Sequence, residues 1–338
     1  MPGLAERIAA AAGVQSAEVR PLGGQHGYAH ATGTLSDGRT FFAKSAFAKS
    51  VQESGGPAEA LAAEANGLRW LAAADGGPPV PAVLGQSDGL LVIELVEPPE
   101  HPSPAAARRF GSELAHLHAA RLNPPTFGAP WPGYIASLPL DNTELPDDTV
   151  LRDDTVLRDD ALLPDESVPP DHTVPPGTRL PSGTTARTGW GSWYAERRLL
   201  PYLRRARDAG ALSRAAAAPL EAVISRIGDR AGPPEPPARI HGDLWSGNLL
   251  WQGGRGWLID PAAHGGHRET DLAMLALFGA PHLAAILTGY AETAPLADGW
   301  RSRVPLHQLH PLLVHVCLFG AGYAPQLTDT ARAALAAG

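Results

Sequence analysis

Apolar positions in the first part of the chain follow a strand period and a helix period in turn. Residues 40–44 and 90–93 form short apolar runs typical of β-strands, and residues 58–74 repeat leucine at helical spacing between them. From there onward the pattern is mostly helical. The alternation predicts an α+β protein with two lobes, a strand-rich N-lobe at residues 1–96 and a helix-rich C-lobe at residues 97–338.

One apolar stretch has the length of a membrane span but a sequence that breaks it. Residues 272–291 carry no Asp, Glu, Lys or Arg over 20 residues, yet Gly279 and Pro281 interrupt them, so we expect two buried helices. The N-terminus lacks the basic start and apolar run of a signal peptide, and the single cysteine, Cys317, fits a reducing compartment. We expect a cytoplasmic protein with no membrane partner.

Residues 141–182 differ in character from the rest of the chain. They repeat a degenerate hexapeptide, DDTVLR in its two clearest copies, and contain eleven acidic against three basic residues, seven prolines and no aromatic residue. This composition is typical of a segment that cannot bury enough apolar surface to fold, so we predict a disordered acidic insertion. The six-residue spacing of valine and leucine leaves a β-helix as the alternative.

Charge separates this insertion from the remaining sequence. The whole chain has 35 acidic and 27 basic residues, a formal charge of -8, and the insertion accounts for all of it. Because the remainder is neutral, it offers no basic surface to a phosphate backbone, and we expect no nucleic-acid partner. Lysine occurs only at Lys44 and Lys49, which makes a lysine with a chemical role easy to locate.

The clearest chemical signal is the stretch HGDLWSGN at residues 241–248, followed by Asp260. An aspartate five residues before an asparagine, with a second aspartate later, is the spacing of a kinase catalytic loop. Phosphoryl transfer requires a carboxylate to accept the proton of the attacking hydroxyl, which suits Asp243, and oxygen ligands for Mg²⁺, which suit Asn248 and Asp260. A hairpin between the last two would bring them together. Without the rest of the set, the pattern would indicate an ordinary turn and hairpin.

The N-lobe supplies the groups that ATP requires. Gly23 and Gly24 lie in a glycine-rich turn between two predicted strands, where backbone N–H groups could approach phosphates. Lys44 ends the next strand and Glu64 lies on the following helix. A strand lysine and a helix glutamate form the ion pair that positions the α- and β-phosphates in kinases.

The connection between the lobes and the segment after Asp260 indicate a small-molecule kinase. Glu94 and Val96 fall where the lobes join, so backbone groups there could bind adenine. Asp260 is followed by Pro-Ala rather than Phe-Gly, and ten residues separate it from Asp271. That is too few for an ordinary activation loop, so we expect a kinase without phosphorylation control.

These motifs resemble the fructosamine-3-kinase, or ketosamine-3-kinase, family. The similarity rests on HGDLWSGN at 241–248, IDPAAHGGHRETDLAMLALFG at 259–279 and LVHVCLFGAGY at 313–323, and it extends over nearly the whole chain outside the insertion. It implies the bilobal, protein-kinase-like fold of the aminoglycoside phosphotransferases. It also implies ATP- and Mg²⁺-dependent phosphorylation of the C3 hydroxyl of ketosamines, which are adducts of a sugar with an amine or a protein lysine. The unstable 3-phosphate then leaves and the free amine returns, a deglycation repair activity.

The resemblance also assigns roles by position. It implies that Asp271 braces the catalytic loop through backbone hydrogen bonds, and we place His241 beside it as structural support. Trp245 becomes a candidate platform for the sugar-amine, and His267 and Glu269 become candidate substrate contacts.

Several alternatives stay open. Histidine clusters could hold structural zinc, either His264 and His267 with two nearby acids or His307 with two later histidines. A kinase of the same fold could act on another hydroxyl, such as that of an aminoglycoside or an amino alcohol, or the protein could bind a nucleotide without turnover.

Overall fold

The computed structural model describes residues 2–25, 27–46, 58–97, 100–145 and 189–337. Within these ranges the protein has an antiparallel sheet at the N-terminal end and a mainly helical C-terminal part. The architecture is therefore α+β, as the sequence predicts. In the part of the chain that the structure describes, no helix is both long and apolar enough to cross a membrane.

The N-terminal sheet has five strands between two helices. The strands are β1 (Ala17–Gln25), β2 (Tyr28–Leu35), β3 (Thr40–Ala46), β4 (Val83–Ser87) and β5 (Leu90–Glu94). They are arranged antiparallel in the order β1-β2-β3-β5-β4. Helix α1 (Leu4–Ala12) packs on one face of this sheet and helix α2 (Ala58–Ala72) packs on the other.

Strand β5 is covered on both faces of the sheet. Leu90 and Val92 pack in the cluster that includes α1, whereas Leu91 and Ile93 pack in the cluster that includes α2. Successive side chains of a strand point to opposite faces, so a strand covered on both faces must be apolar at every position. This is the physical origin of the apolar run that predicted the strand.

The C-terminal part contains most of the helices and three short strand pairs. Its elements in chain order are α3 (Pro104–Ala119), β6 (Gly133–Ile135), β7 (Leu138–Leu140), α4 (Trp190–Tyr194), a π-helical turn (Ala195–Leu199), α5 (Leu200–Asp208), α6 (Arg214–Ser225), α7 (Ile227–Arg230), β8 (Ala238–Ile240), β9 (Leu249–Gln252), β10 (Arg255–Leu258), β11 (His264–Gly266), α8 (Glu269–Leu277), α9 (Leu283–Thr293), α10 (Trp300–Phe319) and α11 (Ala324–Ala336). Strands β6 and β7, β9 and β10, and β8 and β11 pair antiparallel. The uncharged stretch that begins at residue 272 forms α8 and α9 with a break between them, so the prediction of two helices is confirmed. The prediction that both are buried holds for α8 but is wrong for α9, which buries only one face.

Two glycines bring α3 and α9 into close contact. A Cβ atom at Gly111 would clash with the carbonyl oxygen of Ile286, and one at Gly289 would clash with the carbonyl oxygen of Arg108. Only glycine permits two helix backbones to approach this closely. The contact fixes the position of α3, whose last turn carries His118.

The first residues of the predicted insertion are held by the helical segment that follows it. Trp193 Nε1 donates to the carbonyl oxygen of Thr143 at 3.1 Å. Arg198, which is fully buried in the π-helical turn, donates to the carbonyl oxygen of Asp141 at 2.6 Å and to Asn142 Oδ1 at 2.7 Å. These bonds clamp the chain where it enters the insertion.

The prediction of disorder from residue 141 onward is therefore wrong for residues 141–145. Their backbone is bonded to α4 and the π-helical turn, which supply donors that sequence composition does not reveal. The remaining part of the insertion, residues 146–182, lies outside the described residues, and both its predicted disorder and the β-helix alternative stay predictions.

Candidate active site

The predicted catalytic loop lies between β8 and the β9–β10 hairpin. His241 follows β8, and its Nε2 donates to the carbonyl oxygen of Ile259 at 2.9 Å, at the far end of the hairpin. The N–H of Ile259 donates in turn to the carbonyl oxygen of Asn248 at 3.1 Å. The hairpin thus returns Asp260 to the side of Asn248, whose Nδ2 lies 3.5 Å from the Asp260 carbonyl oxygen. This is the arrangement that the sequence spacing predicts.

Asp243 is held in the loop by Asn248. The Nδ2 of Asn248 donates to the carbonyl oxygen of Asp243 at 2.9 Å and to its Oδ2 at 3.1 Å. Burial, followed by the charge of the nearby Asp260, raises the pKa of the Asp243 carboxyl to about 7. A carboxyl group with a pKa near neutral is well suited to exchanging a proton with a hydroxyl group.

Lys44 joins the two lobes by an ion-pair network. Its Nζ lies 2.9 Å from both carboxylate oxygens of Glu64 on α2 and 2.6 Å from Oδ1 of Asp260. Burial by itself would lower the pKa of Lys44, but the two carboxylates outweigh it and raise that pKa above its usual value. Burial likewise opposes ionisation of Asp260, yet the Lys44 ammonium holds the pKa of Asp260 below its usual value.

A close contact between α2 and the segment after Asp260 makes this network geometrically feasible. A Cβ atom at Gly67 would lie 3.2 Å from both Pro261 Cγ and Ala263 Cβ, so a larger side chain there would push α2 away. Asp260 has a φ of 53°, in the left-handed region that aspartate tolerates better than most residues. Helix α2 therefore rests on this turn and brings Glu64 toward Asp260.

The backbone of the catalytic loop is held by hydrogen bonds to Asp271 on α8. Its Oδ2 accepts from the N–H of His241 at 2.7 Å, and its Oδ1 accepts from the N–H of Gly242 at 3.0 Å. The same Oδ2 lies 3.1 Å from Nε2 of His118, and Nδ1 of that histidine lies 2.9 Å from the hydroxyl of Tyr290. Asp271, His118 and Tyr290 are buried, and the loop backbone is connected to α3 and α9 through this one carboxylate.

The predicted nucleotide-side residues lie along the sheet edge and the lobe connection. Gly23 and Gly24 belong to the end of β1, where they pair with His30 and Ala29 of β2, so the prediction that they lie in the turn between the strands is wrong. Both are exposed, and Gly23 has a φ of 102° that favours glycine. Glu94 ends β5, where its N–H donates to the carbonyl oxygen of Ala82 at 2.8 Å, and Val96 follows two residues later. The sheet and the helical part are connected through this segment.

The donor set around Asp243 is chemically suited to a hard cation. Asn248 and Asp260 lie beside it and offer an amide and a carboxylate oxygen, which are the kind of ligand that Mg²⁺ prefers. The set therefore fits a divalent metal of the kind that kinases use with ATP.

Comparisons with known proteins place the chain among sugar-amine kinases. A profile of the family described as fructosamine kinase matches residues 178–337. A crystal structure of a "putative fructosamine-3-kinase" from Thermobifida fusca is 44% identical, with a TM-score of 0.80 over 99% of each chain. The chain belongs to the fructosamine kinase family.

Curated relatives of this family match shorter parts of the chain. A probable ketoamine kinase of Enterococcus faecium is 44% identical over 92 residues, which is 27% of this chain and 33% of the relative. A probable ketoamine kinase of Synechocystis is 38% identical over 138 residues, which is 40% of this chain and 45% of the relative. The chain thus spans less than half the length of these curated relatives.

The fold is shared more widely than the family. An ADP-bound aminoglycoside phosphotransferase is 13% identical to this chain, with a TM-score of 0.54 and 97% of each chain covered. At that identity the likeness shows the fold alone. It confirms the bilobal, protein-kinase-like architecture that the sequence resemblance implied.

The three candidate substrate residues of this fructosamine kinase family member lie in different surroundings. Trp245 is exposed for 40% of its surface and lies two residues after Asp243. His267 and Glu269 are buried in the interior, and both carboxylate oxygens of Glu269 accept from Arg303, at 2.9 and 2.5 Å. Direct substrate contact by Glu269 is therefore not supported, because its hydrogen-bonding capacity is used inside the protein.

The structure also bears on the zinc alternative. Among the described residues, the one group of three metal-ligating side chains with close ligand atoms is His267, Glu269 and His307. The Nδ1 of His267 accepts from the N–H of Glu269 at 3.2 Å, so the neutral ring carries its proton on Nε2 and presents no lone pair there. With Arg303 on both oxygens of Glu269 as well, this cluster is better described as a buried hydrogen-bond network than as a metal site.

Sequence reasoning missed three residues that position the site. His118 and Tyr290 connect Asp271 to α3 and α9, and Gly67 lets α2 approach the turn after Asp260. His118 lies on the apolar face of α3, which was a weak signal, since a polar residue on such a face needs a buried partner. Neither Tyr290 nor Gly67 carried any comparable signal.

Proposed function

We propose that the protein transfers the γ-phosphoryl group of ATP to the C3 hydroxyl of a ketosamine, with Mg²⁺ as the divalent cation. The observation that carries this proposal is the network joining Lys44, Glu64 and Asp260, with the Asp243–Asn248 pair beside it. Family membership supports a sugar-amine as the acceptor. The proposed acceptors are small ketosamines or ketosamine-modified lysines of proteins.

In the proposed reaction, Asp243 acts on the acceptor hydroxyl. The C3 oxygen forms a bond to the γ-phosphorus, the bond from that phosphorus to the β–γ bridging oxygen breaks, and the hydroxyl proton passes to the Asp243 carboxylate. The Nδ2 of Asn248 donates to Oδ2 of Asp243 and so orients the carboxylate, and Oδ1 is the oxygen proposed to take the proton. Orientation of the hydroxyl and removal of its proton are the tasks that phosphoryl transfer demands from a protein side chain.

The remaining residues are proposed to hold the nucleotide. Lys44 would contact the α- and β-phosphates while Glu64 keeps it in place, and backbone N–H groups at Gly23 and Gly24 would approach the phosphates. Asn248 and Asp260 would hold the cation, which when bound neutralises charge on the β- and γ-phosphates.

The segment from Glu94 to Val96 would bind adenine through its backbone. We place the boundary between the two lobes near residue 96, because the sheet ends with β5 at Glu94 and the helical part follows. His241 and Asp271 are proposed to support the catalytic loop without touching the substrate.

An acceptor panel tests the substrate class. The protein is incubated with ATP and Mg²⁺ and with ribulose-, erythrulose- or fructose-lysine, an aminoglycoside or an amino alcohol, and ³¹P NMR locates the new phosphate. We expect a sugar 3-phosphate on a ketosamine, followed by release of free lysine. Phosphate on an aminoglycoside or amino alcohol alone would contradict the ketosamine assignment. The Asp243→Asn variant is the control, and unchanged ATP consumption in it would contradict the mechanism.

A further inference from the structure

A row of five aromatic side chains runs from the catalytic loop to the end of α10. We call it the aromatic row: Trp245, Phe278, His315, Phe319 and Tyr323. The ring centroids are 6.2 Å apart between Trp245 and Phe278, and 5.1 Å apart between Phe278 and His315. His315 then lies 5.4 Å from Phe319 and 5.0 Å from Tyr323. The rings form one continuous surface, because each distance is within the range of aromatic contact.

Both ends of the aromatic row are open to solvent. Trp245 is 40% exposed and Phe319 is 59% exposed, whereas the other three rings of the row are half-buried. Among the described residues, the large hydrophobic side chains that are exposed are these two and Leu22. Exposed aromatic rings grouped on one surface mark a binding site more often than scattered ones do.

The rings of the row are held in place by the local backbone. Trp245 lies across Gly247, where any Cβ atom would clash with the indole ring. Phe278 and Phe319 lie at the ends of α8 and α10, and each is followed by a glycine with positive φ that ends the helix. The Nδ1–H of His315 donates to the carbonyl oxygen of Pro311 at 2.7 Å. A surface held in this way loses little conformational entropy when a ligand binds.

Charge limits what such a surface can bind. Residues 304–328, which supply three of the five rings, contain no Asp, Glu, Lys or Arg. This segment itself offers no cation to a polyanion, but its apolar area suits an alkyl chain or an aromatic group. A protonated amine near Trp245 would gain a favourable interaction with the face of the indole ring.

We infer that the aromatic row binds the nitrogen substituent of the acceptor, the part of a ketosamine that is not sugar. This inference rests on the proposed function. In a ketosamine the nitrogen is on C1, two carbons from C3, so with the C3 hydroxyl at Asp243 the nitrogen stays close to the catalytic loop, on which Trp245 is the exposed aromatic side chain. The substituent then leaves the site along Phe278 toward Phe319. The protein should therefore prefer ketosamines with long or aromatic substituents over those of small amines.

The test compares two acceptors that share one sugar and differ in the amine. One is the adduct of methylamine, and the other is the adduct of the side-chain amine of Nα-benzoyl-lysine. In Phe319→Ala we expect KM for the benzoyl-lysine adduct to rise about tenfold with kcat unchanged, because one exposed aromatic contact is lost. Values for the methylamine adduct should stay at the wild-type level. Phe319→Tyr, which keeps the ring, should retain the wild-type preference.

Trp300→Ala is the matched control, since it removes a ring from the opposite end of α10. If Phe319→Ala changes KM equally for both acceptors, or for neither, the inference is overturned. Turnover of the methylamine adduct would in that case still support the proposed function. If the wild type phosphorylates neither ketosamine, the proposed function fails and the subsite fails with it. A change of oligomeric state in Phe319→Ala, measured by light scattering, would assign the row to a subunit interface and overturn the inference.

Discussion

The ammonium of Lys44 lies 2.6 Å from the carboxylate of Asp260, so the proposed phosphate-binding lysine is already paired with the proposed metal ligand. Lys44 also contacts Glu64, and loss of Asp260 would therefore leave the lysine with a partner. The two lobes are linked across this contact, because Lys44 is on β3 and Asp260 follows β10. A substitution of Asp260 can therefore test its catalytic role with little loss of stability, because Lys44 keeps Glu64 as a partner.

We predict that Asp260→Asn lowers kcat by at least about a hundredfold, since a charged ligand and electrostatic group is lost from the reacting centre. The melting temperature should change by no more than a few degrees, because Lys44 keeps its bond to Glu64. Steady-state kinetics and thermal unfolding check the two halves. Asp37→Asn, which breaks an exposed ion pair with Arg39, is the control and should leave both values unchanged. Collapse of the melting temperature in Asp260→Asn would show that the residue is mainly structural.

The pH dependence of turnover should report Asp243. Its pKa is raised to about 7 by burial, and the proposed base is active only when ionised. We therefore expect kcat/KM to fall about tenfold per pH unit below pH 7 and to level off above it. The rate in Asp243→Asn should fall by about two to four orders of magnitude, with this acid limb removed. A wild-type profile that is flat between pH 5 and 8 would contradict this role.

Asp243 should also make the protein less stable at neutral pH. Its folded-state pKa of about 7 lies above that of an unfolded aspartate, so the folded state binds more protons between these two pKa values. The free energy of unfolding therefore falls as pH rises from about 4 to about 7. We predict that Asp243→Asn melts a few degrees higher than the wild type above pH 7. The difference should shrink as pH falls from 7 and vanish only below about pH 4, where the unfolded carboxyl also takes up its proton. Thermal unfolding at pH 5 and pH 8 measures it, and a lower melting temperature at pH 8 would refute the prediction.

His118 is predicted to position the catalytic loop through Asp271. Removal of the imidazole in His118→Ala leaves the buried Asp271 carboxylate without one of its partners, which should cost about 2–4 kcal/mol of unfolding free energy. We expect kcat to fall while KM for ATP stays unchanged, since His118 does not touch the nucleotide site. Tyr290→Phe removes only the hydroxyl that contacts His118 and should cost about 1 kcal/mol. Destabilisation with a normal kcat would limit His118 to a structural role.

The insertion should be dispensable beyond its anchored base. Deletion of residues 147–182 keeps the bonds of Trp193 and Arg198 to Thr143 and Asp141, and we expect kinetics and melting temperature close to the wild type. Deletion of residues 141–182 removes those bonds and should lower the melting temperature, because the buried Arg198 would lose its acceptors on Asp141 and Asn142. Lost activity in the shorter deletion, with the fold retained, would show that the repeat contributes to function.

Local pattern was sufficient for much of the fold. The strand at residues 90–93 is predictable because a strand covered on both faces must be apolar throughout, and the break within residues 272–291 is predictable from its glycine and proline. The hairpin that returns Asp260 to Asn248 follows from two short strands separated by glycines. Each of these features is decided by residues close together in the chain.

The candidate site also has features decided by residues close together in the chain and features decided by long-range packing. The sequence by itself determined the catalytic loop, the chemistry of its side chains and the pairing expected of Lys44 with Glu64, because spacing and residue type specify them. Only the tertiary structure decided that His118 supports Asp271 and that Gly67 lets α2 approach the turn after Asp260. It alone also showed that Arg303 donates to both carboxylate oxygens of Glu269. It also decided that Trp245 begins an aromatic surface whose other members come from α8, α10 and the segment after α10. The physical reason is that burial and long-range contact depend on how helices pack, and residues distant in sequence carry no local signal of that packing.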